Sequence, residues 1–230
     1  AEFLADGATE NEHVGYSDEL LDGGGATTGL IDEHGHDIFG NAFEFLQEKR
    51  MEGETPRDIY VDVLDRLFHN RAGGTLWLER LTGDSGEVLF RVGQADEPFG
   101  LINVGDAKGL CDHVEKATSD MDLPLKVTTS EFDEPRFEQV KESTSPYNLL
   151  LGSRKFIEGW DCWRVSTLGL MNIGKSEGSQ IIQLFGCGVR LKGWEHSLKR
   201  SGHADLQGHI PNYLTELETL NVLGIDASYI

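Results

Sequence analysis

From Phe99 to Phe185 short apolar runs alternate with amphipathic ones, and that alternation limits the folds open to the chain. Phe99–Val104 is an apolar run of strand type, and Ala107–Ala117 carries a helical period. Leu125–Thr129 is strand again, and Glu134–Lys141 helix again. Asn148–Gly152 and Arg164–Leu170 add a third and a fourth strand, and Ser179–Phe185 begins another helix. Strands separated by helical crossovers come to lie side by side in one direction. The pattern therefore predicts an α/β fold built on a parallel sheet with helices on both faces.

Upstream the periods change. Thr75–Arg80 and Glu87–Val92 alternate apolar with polar, and Thr82-Gly-Asp-Ser-Gly86 supplies the turn between them, which predicts two paired strands. Two amphipathic helices are expected near Ile38–Glu52 and Pro56–Asn70. In the second, Ile59, Val63, Leu64 and Leu67 fall on one face, and Pro56 suits a first turn. Residues 1–40 are acidic and Gly-rich, with Gly23-Gly-Gly25, and read as loop. Within them Asp32-Glu-His-Gly-His-Asp37 holds metal-ligand types, but Gly35 breaks the helical face that would align the two imidazoles, so no metal is assigned. The expected organisation is an acidic loop and helical segment over 1–72, a sheet domain over 73–205 and the start of a further element over 206–230.

The formal charge of −20 argues at first against nucleic acid, because carboxylates repel phosphates. The charge is unevenly spread, however. Residues 1–65 hold 17 Asp and Glu against 3 Lys and Arg, whereas residues 146–204 hold 8 Lys and Arg against 4 Asp and Glu. The basic island coincides with the loops at the carboxyl ends of the last strands, where ligands gather in a parallel sheet. Three cysteines without CxxC spacing read as core thiols in a reducing compartment, so a cytoplasmic location is expected. No apolar run is long enough to cross a bilayer, no signal-peptide pattern opens the chain, and no membrane partner is expected. Both ends read as cut from something longer.

Two segments of the basic island carry chemistry. Asn148-Leu-Leu-Leu-Gly-Ser153 is a strand delivering Ser153, Arg154 and Lys155 into a loop that closes at Gly159-Trp-Asp161. Gln183-Leu-Phe-Gly-Cys-Gly-Val-Arg190 follows on a helix. Together they resemble motifs V and VI of superfamily 2 helicases, in the version found in the helicase subunit of type III restriction enzymes. The similarity runs from about Pro98 to Arg200, through Leu101-Ile-Asn-Val-Gly-Asp106, Trp163-Arg-Val-Ser-Thr167 and Gly169-Leu-Met-Asn172.

The resemblance implies a RecA-like C-terminal motor domain of an ATP-dependent DNA helicase or translocase. By it, Ser153, with Arg154 and Lys155 beside it, would contact the nucleic-acid backbone, and Gly159 and Asp161 would lie near the ATP ribose and phosphates. Gln183, Gly186 and Arg190 match the motif VI pattern. Gln183 would orient the γ-phosphate or a water, and Arg190 would be the arginine finger, its planar fork following charge as it spreads over the γ-phosphate oxygens. The family's other motif VI arginine is replaced by Cys187, which supplies no positive charge and puts turnover in question. ATP with Mg2+ is the implied cofactor, the metal held mainly by an N-terminal RecA-like domain of the same protein. Implied partners are that domain, DNA, and a modification or nuclease subunit.

Two other readings remain. Gly169-Leu-Met-Asn-Ile-Gly-Lys-Ser176 satisfies G-x-x-x-x-G-K-S after a strand and before a helix, which would make Lys175 and Ser176 the phosphate and magnesium ligands of a self-contained nucleotide site. Gly178 falls two residues after Ser176, and the downstream apolar run Leu220–Asp226 is interrupted by Gly224; both weigh against it. In the motor reading Lys175 contacts phosphate as a simple cation. The third reading is a hydrolysis-dead interaction module, with Cys187 its mark. Trp77, Trp160, Trp163 and Trp194 are not interleaved with a basic stripe and are expected to pack in the core or at a hinge, with Trp160 set apart as the exception that its place in motif V would allow.

Overall fold

A computed structural model of the chain describes residues 14–15, 31, 34–37, 44–83, 86–121, 123–131, 134–152, 160, 162–171, 178–188, 198–204 and 214–225. It divides into two compact units, one of residues 1–138 and 146–151, the other of residues 139–145 and 152–230.

The first unit opens with helices α1 (Glu44–Met51) and α2 (Pro56–Phe68). Helix α2 starts where its sequence says it should. The Thr55 hydroxyl accepts from the Asp58 amide at 3.2 Å, and Asp58 Oδ2 accepts from the Thr55 amide at 2.9 Å, so two of the unpaired donors of the first turn are satisfied. The Thr55 hydroxyl, which donates to Asp58 Oδ2 at 2.6 Å, and then the Thr55 amide hold the Asp58 carboxyl below its ordinary pKa. The helix stops at His69, in the left-handed region at φ 55°, whose amide bonds back to Asp65. His69 Nε2 lies 2.6 Å from the carbonyl of Pro146, and Asn148 Nδ2 donates to the carbonyls of Arg66 (2.9 Å) and Leu67 (3.1 Å). The open carbonyl end of α2 is thus closed by the segment that leads into β5.

Strands β1 (Leu76–Leu81), β2 (Glu87–Val92), β3 (Gly100–Asn103), β4 (Leu125–Ser130) and β5 (Leu149–Gly152) form one sheet in the order β4-β1-β2-β3-β5. β1 pairs with β2 and β2 with β3 in antiparallel fashion, whereas β1 pairs with β4 in parallel. β1, β3 and β4 therefore run one way and β2 the other. The fold is α/β, as expected, with a mixed, mostly parallel sheet. The reversal at β2 follows from its short connections, which reach only an antiparallel neighbour. At the first of them Gly86 sits at φ 105°, and a Cβ there would stand 1.8 Å from the Val104 carbonyl oxygen, so only glycine fits. β3 and β4 are joined through helix α3 (Ala107–Thr118), a crossover between strands of one direction.

Register assigns the faces. Leu78, Val88 and Ile102 share one face and bury against Ala107 and Cys111 of α3. Val92, two pairs along the same face of β2, packs with Phe99 and with Tyr60 and Leu64 of α2. The other face carries Glu87, fully buried, beneath a 3-10 helix at Phe137–Lys141. Its carboxylate accepts from the Arg136 amide at 2.6 Å, the Phe137 amide at 3.3 Å and Asn103 Nδ2 at 3.2 Å. Tyr147 is buried, and that burial holds its phenol above the ordinary pKa, with Arg136 opposing and Glu87 adding. Toward the β4 edge this face carries the Lys126 ammonium 5.4 Å from the Trp77 ring centroid and the Arg91–Glu79 pair at 3.2 Å.

The second unit contains strands β6 (Thr167–Met171) and β7 (Asn221–Ile225), paired in parallel, with helix α4 (Gly178–Gly188) and the short helix α5 (Leu214–Leu217). Near α5, Glu218 accepts from the Ser201 amide and hydroxyl, each at 2.8 Å. Strand β6 begins at Thr167 rather than at Arg164. Residues 162–165 form a turn closed by the Val165 amide on the Cys162 carbonyl (3.4 Å), and Arg164 Nη1 donates to the Val140 carbonyl at 3.0 Å, so its side chain serves the turn. Likewise the helix expected over Glu134–Lys141 is a 3-10 turn over Phe137–Lys141, with the Arg136 and Phe137 amides at its start taken up by Glu87.

Candidate functional site

Helix α4 follows β6 in the order that both motif readings require. It holds no charged residue, and its period sorts it into two sides. Ile181 is buried and Leu184 and Phe185 are half-buried, whereas Ile182, Gln183 and Gly186 are exposed. Gln183 and Gly186 lie three apart, hence one turn apart on the outward side. A Cβ at Gly186 would meet nothing within 4 Å, so the missing side chain leaves helix backbone open beside Gln183. That combination, an amide next to bare helix backbone, suits close approach of a polar ligand. Cys187 lies in the last turn of the helix, and Arg190 lies outside the described residues.

The other motif is described at its margins. β5 ends at Gly152, and Ser153, Arg154, Lys155, Gly159 and Asp161 lie outside the described residues. Both neighbours of Asp161 are anchored: Trp160 is 7% exposed and Cys162 is 3% exposed. Cys162 Sγ sits 3.8 Å from the Val140 carbonyl, the same oxygen that Arg164 holds. Cys162 thus packs as the core thiol the sequence led one to expect, and Trp160, set apart for its place in motif V, is buried as well. Trp163 is not; at 54% exposure it projects from the turn between Cys162 and Val165, because its neighbours on either side take the inward positions. Trp194 lies outside the described residues.

The G-x-x-x-x-G-K-S segment meets the structure at one end. Gly169, Leu170 and Met171 are ladder residues of β6, opposite Leu223, Gly224 and Ile225, and α4 begins at Gly178. A phosphate-cradling loop needs the residues after its first glycine for the turn and the helix to begin near its Lys-Ser pair. Here the first three positions are strand, and the helix starts two residues after Ser176. This geometry counts against the self-contained nucleotide site. Lys175 itself lies outside the described residues.

In the acidic N-terminal region Ile31 and Asp37 form an isolated antiparallel bridge around Gly35 at φ 83°, and the exposed rings of His34 and His36 stand 6.4 Å apart between centroids. Among the described residues no group of three or more His, Cys, Asp and Glu side chains is arranged to hold a metal ion. Also among them, no helix is long and apolar enough to cross a membrane. No family model, curated protein or solved structure matches the chain.

Proposed function

We propose that this chain is the C-terminal motor domain of a superfamily 2 DNA helicase or translocase, working on ATP held chiefly by an N-terminal RecA-like domain. The observation that carries the reading is the outward side of α4. Gln183 and Gly186, two of the three matched motif VI positions, stand one turn apart and exposed on a helix that directly follows a parallel strand. A helix face that addresses a ligand bound elsewhere should be exposed in this way when its partner domain is absent. The anchoring of Trp160 and Cys162 on either side of Asp161 supports the motif V assignment.

In this reading Gln183 orients the γ-phosphate or the attacking water, and Arg190 stabilises the charge that spreads over the transferring phosphoryl group. Gly159 and Asp161 line the nucleotide from the motif V side, and Gly186 lets the helix backbone come close. Ser153, Arg154 and Lys155 hold the nucleic-acid backbone, so closure around ATP and opening after hydrolysis move the strand. Mg2+ bound with ATP would be held mainly by the N-terminal domain and would supply neutralisation of phosphate charge.

The test is DNA-stimulated ATP hydrolysis by the chain joined to its N-terminal motor domain. Arg190→Ala is expected to lower turnover by roughly a thousand-fold, the scale of a lost arginine finger, while leaving ATP binding within a few-fold. Unchanged turnover in that variant would remove Arg190 from the site and the motif VI assignment with it.

A further inference from the structure

Strand β4 ends the five-stranded sheet, and among the described residues no strand lies beyond it. Its pairing with β1 fixes which backbone groups this edge presents. The Leu76 amide bonds to the Pro124 carbonyl at 2.7 Å and the Thr82 amide to the Ser130 carbonyl at 3.3 Å, so the even positions of β4 turn their backbone groups toward β1. Val127 and Thr129, at odd positions, turn theirs away, as does the Leu125 carbonyl. The Leu125 amide is taken by the Leu123 carbonyl at 2.8 Å. An edge meant for solvent is usually blunted by proline, a bulge or several charges. Leu125–Ser130 pairs with β1 without a break in register, holds no proline, carries Lys126 as its one charge, and is β-branched at Val127, Thr128 and Thr129.

We infer that β4 pairs antiparallel with β4 of a second copy of this chain, about a two-fold axis at Val127. That register gives both backbone groups of Val127 and the Thr129 amide their partners. Val127 meets Val127, Leu125 meets Thr129, and Lys126 stands opposite Thr128, so no like charges face each other. Helix α3 favours the same occupant. It lies over β1 and β4. With strands about 4.8 Å apart, two copies of α3 then come about 10 Å apart, the distance at which helices pack. The flank they share carries Asp112, Glu115, Lys116 and Ser119, all exposed. Such mixed signs select neither a basic nor an acidic partner strand, but a two-fold axis brings Glu115 of one copy toward Lys116 of the other. The inference is independent of the motor reading.

The experiment is sedimentation equilibrium of the full chain at about 0.3 M salt, where repulsion between two copies of charge −20 is screened. A monomer–dimer equilibrium is expected, with the Val127 and Thr129 amides slowing in hydrogen exchange as concentration rises. Val127→Pro should weaken dimerisation by roughly ten- to a hundred-fold, because it removes two symmetric ladder bonds. The amide it deletes faces outward, where an edge strand tolerates proline, so the thermal midpoint should hold. Thr128→Lys should weaken dimerisation too, by setting an ammonium opposite Lys126 of the other copy, and added salt should restore much of that loss. A chain that stays monomeric at the highest concentration reached would overturn the inference and leave this edge to a different polypeptide. A dimer that both variants leave intact would overturn it as well. Should Val127→Pro lower the thermal midpoint, Thr128→Lys, at an exposed side chain, decides alone.

Discussion

Glu87→Ala lowers the stability of the first unit by about 3 kcal/mol, read as a fall in the urea midpoint. Two effects oppose each other. Removing a fully buried carboxylate relieves the cost of keeping a charge out of water. It also leaves three donors without their acceptor: the Arg136 and Phe137 amides and Asn103 Nδ2. An unsatisfied buried donor costs on the order of 1–3 kcal/mol, and the vacated volume adds a cavity term, so the loss outweighs the relief. Glu87→Gln should fall between the two, because its amide nitrogen would face donors where an acceptor is needed. A midpoint unchanged in Glu87→Ala would mean that the segment above β2 holds itself in place without this carboxylate.

Under the proposed function, Cys187→Arg, in the chain joined to the N-terminal motor domain that the proposal implies, raises ATP turnover by roughly a hundred-fold. Position 187 is where motif VI carries an arginine in the helicases that the sequence resembles, and it falls in the last turn of α4, one residue from Gly186 and one turn from Gln183. Arg is well tolerated in helices, so the substitution should leave α4 intact. The gain should come in kcat with little change in KM, because the added fork meets charge that develops only in the transition state. Cys187→Lys should give a smaller gain, since an ammonium lacks the fork. A turnover that does not move with Cys187→Arg would mean that this side of α4 does not face the γ-phosphate.

Much of the fold was legible from local chemistry. Pro56 announced the start of α2, the Gly-rich turn before Glu87 announced the β1–β2 pair, and the helical period after Gly105 announced α3. These signals are readable because the residues that cause them are neighbours in sequence. What resisted reading depended on distant partners. A strand pattern at Leu125–Ser130 does not say that β4 pairs with β1, two positions away from β3 in the sheet. Nothing local marks Glu87 as the acceptor for amides 49 and 50 residues on, at the start of the 3-10 turn that stands where a helix was expected. At the site, the helix bearing Gln183 and Gly186 was visible as an apolar period. The outward position of Trp163 was not, because it follows from the inward ties of Cys162 and Arg164 to a carbonyl more than twenty residues earlier.

The most direct measurement is calorimetry of magnesium-ATP against the chain alone, against Lys175→Ala, and against the chain mixed with the N-terminal motor domain that the proposal implies. Half of a motor predicts binding too weak to measure for the chain alone, no effect of Lys175→Ala, and clear binding once the partner domain is present. Micromolar binding by the chain alone, abolished by Lys175→Ala, would contradict it and make Gly169–Ser176 a phosphate loop in its own right.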